Sequence, residues 1–197
     1  MATGGEIAAK RALVAARRAG ASRVAAEEAA LMLMLYAGYP AALEGLRVLH
    51  AVWPGRARAS DRGAPRRWRT AGERLCRSVY GSKYPRLIAN VRALHPDLAT
   101  WMVEQGYGRV LSRPAMAARE RELFAVAVLA ALGWERQLLS HLIGARRLGA
   151  SVAVLRRAFE IGRSRSGARG RAAALRAWVA AAARMRGSGS GAPPRAG

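Results

Sequence analysis

Apolar residues recur along most of this chain at intervals of three and four, and Gly, Pro and Ser interrupt them at regular places. That period belongs to amphipathic helices. Residues 6–19 predict an alanine-rich basic helix ending near Gly20. Ser22 is a candidate N-cap for the next helix, EEAALMLMLY, which Gly38-Tyr39-Pro40 interrupts before AALEGLRVLHAV. Residues 54–67, PGRARASDRGAPRR, carry the composition of an exposed linker. Helical patterns resume with RWRTAGERLCRSVY, YPRLIANVRAL and PDLATWMVEQGYG. Pro114 precedes AMAARERELFAVAVLAAL, which Gly133 closes; Trp134–Leu148 is the next helix, closed by Gly149. Ser151 caps VAVLRRAFEI. After the basic hinge SRSGARGR a further helix is expected over AAALRAWVAAAARM, before a flexible end, GSGSGAPPRAG.

Two heptapeptides nearly coincide: ARRAGAS at 16–22 and ARRLGAS at 145–151. Each ends one helix on glycine and caps another with serine, which points to a degenerate duplication. Fifteen residues precede the first copy, so a duplication would predict a first unit truncated at its front. The expected organisation is a truncated repeat unit at 7–52, a basic linker at 53–68, a main unit at 69–162 and an Arg-rich tail with one helix at 163–197.

Composition supports an all-α fold. Alanine and leucine abound and β-branched runs are scarce. The lone Cys76 allows neither an intrachain disulfide nor a Cys-x-x-Cys redox pair. The N-terminus lacks the apolar core of a signal peptide. The unbroken apolar run Ala29–Ala37 is short of a bilayer span. No membrane association and a cytoplasmic location are therefore expected. The net charge of +22 is unevenly spread: residues 51–114 contribute +9, residues 163–197 contribute +8, and residues 115–162 only +3. A polyanion such as nucleic acid would be drawn non-specifically to the linker and tail. No zinc-finger spacing, helix-turn-helix or RNP-like strand accompanies the charge.

Two residues stand out for chemistry. Glu122 lies 11 residues before Gly133 and His141 lies 8 after it. At about 1.5 Å per residue they are roughly 16 Å and 12 Å from the turn, nearly level if the helices fold back on one another. Gln137 shares the His141 face, four residues earlier. A carboxylate beside an imidazole can set its tautomer and charge, and the pair can then move protons near neutral pH. Spacing alone favours a surface pair between Glu122 and Arg119 or Arg121, with His141 a core histidine. His50, His95 and the Gly-Tyr-Gly at 106–108 lack the context of a site. No His/Cys/Asp cluster has metal spacing, so neither a metal nor a cofactor is expected.

Residues 119–151, RERELFAVAVLAALGWERQLLSHLIGARRLGAS, resemble the signature region of the carboxymuconolactone decarboxylase family. HPDLATWMVEQGYGRVLSRP before them and LMLMLYAGYPAAL at 31–43 are also similar to that family. In the family a segment like the latter follows the histidine helix, whereas here it precedes it.

The resemblance implies the all-α carboxymuconolactone decarboxylase/alkylhydroperoxidase D-like fold and a homo-oligomer, a trimer or hexamer. The peroxidase branch, of peroxiredoxin type, needs two cysteines that would fall at Trp134 and Gln137, where this chain has none. Thiol peroxidase activity is therefore not expected. The decarboxylase branch keeps Glu and His without the cysteines. By that resemblance Glu122 and His141 are the catalytic candidates for a cofactor-independent lyase acting on a small acidic molecule. Gln137 and Arg113 would hold its carboxylates, and Trp134 and Tyr107 would wall the pocket. Where the decarboxylase has asparagines before the glycine of its histidine helix, this chain has Arg146, Arg147 and Leu148. The alternatives are a non-catalytic member acting in assembly or binding, and a protein labelled a peroxidase by family without the thiol pair.

Overall fold

In the computed structural model of this protein, residues 4–57 and 64–187 are described. Residues 58–63 of the expected linker and 188–197 of the expected flexible end lie outside that set. Among the described residues every regular element is helical. The order is α1 (Gly4–Arg18), α2 (Arg23–Val52), α3 (Pro65–Tyr80), a short 3₁₀ turn (Gly81–Lys83), α4 (Tyr84–Leu94) and α5 (Pro96–Trp101). A π-helix (Met102–Leu111) follows, then α6 (Ala118–Leu132), α7 (Glu135–Arg147), α8 (Val152–Arg163) and α9 (Ala168–Gly187).

The capping signals operate at residue level. The Ser22 Oγ accepts from the Ala25 N–H at 3.1 Å, and the Ser151 Oγ from the Val154 N–H at 3.2 Å. The helix before each serine ends with the same bond pattern: Ala21 N–H to Ala16 C=O at 3.0 Å, and Ala150 N–H to Ala145 C=O at 2.9 Å. The two similar heptapeptides thus share one turn geometry, as their helix-Gly-Ala-Ser-helix order dictates. Gly38 takes non-helical angles (φ 83°, ψ 171°), so α2 is two helical segments meeting at a kink, with Pro40 opening the second, at the Gly38-Tyr39-Pro40 interruption expected from the sequence. Counted across that kink, the segment holding the run Ala29–Ala37 spans 30 residues and passes, by length and composition alone, as long and apolar enough to cross a membrane. It also carries the buried Glu28, bound to Arg113 and Arg121.

The chain divides into two compact units, and the division differs from the repeat boundaries. The first unit is Met1–Arg77 with Ser82–Arg121, and the second is Ser78–Gly81 with Glu122–Gly197. Both α3 and α6 therefore contribute residues to each. In the first unit α1 packs on α2, α5 on α4, and the π-helix on α5 and α2. Its core includes Met32, Leu49, Cys76, Val103 and Tyr107. Backbones approach closely where side chains are missing: a Cβ on Gly72 would lie 2.0 Å from the Val103 carbonyl oxygen, and one on Gly108 would lie 1.9 Å from that of Trp68. This is how α3 seats against the π-helix.

In the second unit α7 packs on α8 and α9 around Leu138, Leu142, Leu155 and Phe159. Ala174, Ala177 and Ala181 are fully buried at a spacing of three and four, so α9 is built into this core by small side chains. The Arg-rich segment expected as a tail therefore supplies one wall of the second unit over 168–187, and only its last residues fall outside the described set. Helix α8 meets α6 at Gly162, where a Cβ would lie 1.9 Å from the Ala127 carbonyl oxygen.

Candidate functional site

Gly133 makes the turn between α6 and α7. Its φ of 71° is left-handed, and the next N–H, of Trp134, reaches back to the Leu129 carbonyl at 3.1 Å. This turn returns the chain so that His141 of α7 meets Glu122 of α6. The His141 Nδ1 and the Glu122 Oε2 are 2.9 Å apart. With the carboxylate ionised it only accepts, and the imidazole then donates from Nδ1. Glu122 is 3% exposed and His141 7%.

The surroundings hold the pair closely. A Cβ on Gly144 would lie 2.6 Å from the Val79 Cγ1 and 2.8 Å from the Glu122 Oε2. The glycine one turn after His141 thus leaves room for the carboxylate. The short segment 78–81 completes the site's backing, because Arg147 donates from Nη1 to the Val79 carbonyl at 2.6 Å. Its guanidinium also lies within 3.5 Å of where a Cβ on Gly81 would be.

The other residues singled out from the sequence are distributed as follows. Gln137 lies on α7 one turn before His141 and is exposed. Trp134, at the start of α7, is 53% exposed, so it does not plug the α6–α7 turn. Tyr107 and Arg113 belong to the first unit. Tyr107 is buried in the π-helix, where its carbonyl accepts from the Ser112 Oγ at 2.7 Å. Arg113 has a carboxylate partner of its own: its Nε donates to both oxygens of Glu28 at 2.9 Å. Of the two arginines that replace the family's asparagines, Arg147 is spent on Val79 and Arg146 donates to the Ala150 carbonyl at 2.5 Å.

One polar cluster escaped the sequence reading. Glu28, in the first unit, takes Arg121 Nη2 at 2.9 Å besides Arg113. Arg121 is 2% exposed; its Nη2 also reaches the Arg113 carbonyl and its Nε the Met116 carbonyl, while Nη1 has no hydrogen-bond partner. Burial raises the affinity of Glu28 for a proton, but the guanidinium hydrogen bonds from Arg113 and Arg121 outweigh it and hold its pKa below the usual 4.5. The partners are 85 and 93 residues apart in sequence, and no periodicity links them. Arg121 thereby faces Glu28, while its neighbour Glu122 faces His141. Cys76, the chain's single thiol, is fully buried. His95 caps α5, its Nδ1 accepting from the Asp97 N–H at 3.2 Å. Among the described residues no group of three or more His, Cys, Asp or Glu side chains could hold a metal ion.

No family model matches the chain, and no curated protein or solved structure matches it.

Proposed function

We propose that this chain is a carboxymuconolactone decarboxylase-like protein and a cofactor-independent carboxy-lyase, with Glu122 and His141 as its proton-transfer pair. The observation that supports this is the 2.9 Å hydrogen bond between a nearly buried carboxylate and a nearly buried imidazole on successive helices. The substrate would be a small acid whose carboxylate is attached next to a carbonyl or lactone. Breaking the C–C bond releases CO₂ and leaves the electron pair on the conjugated system. The imidazolium delivers its Nε2 proton to the carbon, and Glu122 stabilises the charged ring and fixes its tautomer. Gln137, one turn before His141, would hold the substrate's carboxylate and Trp134 would wall the pocket. Arg113 and Tyr107 receive no part, since Arg113 is neutralised by Glu28 and Tyr107 is a core residue of the first unit. The same resemblance carries a homo-oligomer, which light scattering would count directly.

The test is CO₂ release from a panel of carboxylated lactones and β-keto acids by wild type, His141→Gln and Glu122→Gln. A substrate turned over by wild type and at least about 100-fold more slowly by His141→Gln supports the reading, general acid–base groups being worth about 10²–10⁴. An accepted substrate turned over equally by both removes His141 from the mechanism.

The burial itself favours a second reading, a non-catalytic member in which the pair fastens α6 to α7. In that case no substrate is turned over, and the two substitutions change only stability, non-additively, because they remove one shared bond.

A further inference from the structure

The second unit contains a cavity of about 220 Å³ lined by Arg146, Val152, Trp178, Ala182, Met185 and Arg186. Three elements form it: the last turn of α7, the first residue of α8, and the outer face of α9. On α9 the lining residues recur at 178, 182, 185 and 186, one helix face beside the buried alanine stripe. Trp178 is fixed there because one ring face stacks on Phe159, with centroids 4.9 Å apart and planes 29° apart. The small Ala182 side chain leaves the space, and Met185 offers a polarisable wall suited to a ring edge.

Four of the six lining residues are apolar and the other two are arginines; no carboxylate is among them. Val152 is the first residue of α8, and the Ser151 hydroxyl takes the Val154 N–H. The N–H groups ahead of it belong to the end of a helix that favours negative charge. The guanidinium of Arg146 is already steered by its bond to the Ala150 carbonyl. An apolar chamber thus opens beside two cations and a positive helix end. The pocket is half open to solvent, and its volume of about 220 Å³ leaves room for a single ring, which a closed apolar cavity of roughly 150 Å³ already accepts.

We propose that this cavity binds a small amphipathic monoanion, an aromatic carboxylate of about one ring, with the ring on Trp178 and the carboxylate at Arg146 and Arg186. The site is distinct from the Glu122–His141 pair and does not require that pair to be catalytic. It also gives Arg146 a role in recognising an acid, which Arg147, held by Val79, does not share.

The experiment is ¹⁹F NMR titration of the full chain with 4-fluorobenzoate at physiological salt. Neutral 4-fluorotoluene serves as the isosteric control. Three variants accompany it: Ala182→Trp, which fills the chamber; the double variant Arg146→Gln/Arg186→Gln; and Arg119→Gln, an exposed arginine on α6. Saturable binding is expected, lost in Ala182→Trp, weakened about tenfold in the double variant and unchanged in Arg119→Gln. If Ala182→Trp fails to fold by circular dichroism, the double variant decides, because both of its side chains are exposed. Non-saturable binding, or a loss in the double variant no greater than in Arg119→Gln, would reduce the effect to the attraction of a chain of net charge +22 and overturn the site. Equal affinity for 4-fluorotoluene would overturn the role of the arginines.

Discussion

Replacing Glu28 by Gln tests the polar core of the first unit. The carboxylate accepts three bonds of 2.9 Å, two from Arg113 Nε and one from Arg121 Nη2. Gln keeps the shape but removes the charge and turns an NH₂ donor towards guanidinium donors. Arg121, 2% exposed, is then a buried cation without a counter-ion. Breaking a buried pair in this way costs about 3–5 kcal/mol. Arg113 retains some solvent access, with a side chain 17% exposed, which moves the expectation to about 3 kcal/mol. For a chain of this length that lowers Tm by about 6–12 °C. Urea unfolding followed by circular dichroism would read it, with amide exchange in α2 reporting the first unit.

The pH dependence supplies a second sign. The folded pKa of Glu28 is lowered from 4.5, so the unfolded chain binds the proton more readily. The stabilisation is complete above about 4.5 and is lost as pH falls through the lowered folded value. Wild type should therefore lose stability on acidification more steeply than Glu28→Gln, and the two should converge. A Glu28→Gln protein within about 0.5 kcal/mol of wild type at pH 7, or a gap that stays constant into acid, would refute the reasoning.

Other outcomes follow from single contacts. Gly133→Ala should cost more than about 1 kcal/mol in urea unfolding, because φ is 71° and the new Cβ would lie 2.6 Å from the Gly170 Cα. Ala177→Leu should cost about 1–3 kcal/mol by overpacking a fully buried position in α9, and a neutral result would show that α9 is not a core helix. Arg176→Ala, which breaks the exposed pair with Glu135, should change stability by less than about 0.5 kcal/mol. Cys76→Ser should leave any peroxide consumption unchanged, since the thiol is lone and buried; cysteine-dependent turnover in a peroxide assay would contradict this.

The helices, their caps and the turn at Gly133 were legible in the sequence because each is a local matter. Periods of three and four, a serine before an apolar run and a glycine after one act within a few residues. The meeting of Glu122 with His141 could also be counted, since one glycine turn and a fixed rise per residue set their level. What the tertiary structure alone decided is long-range. Glu28 finds Arg113 and Arg121 across 85 and 93 residues, giving Arg113 a carboxylate partner that no spacing announces. In sequence α9 reads as a helix within an Arg-rich tail, yet Ala174, Ala177 and Ala181 form a buried stripe in the second unit. Alanine makes a helix almost anywhere, so its pattern cannot say what the helix packs against. The cavity by Trp178 depends on where the end of α7, the start of α8 and one face of α9 converge, and no sequence spacing encodes that. The chain's local chemistry fixes which segments turn and coil; burial, set by which segments meet, decides which of its many arginines carry a partner.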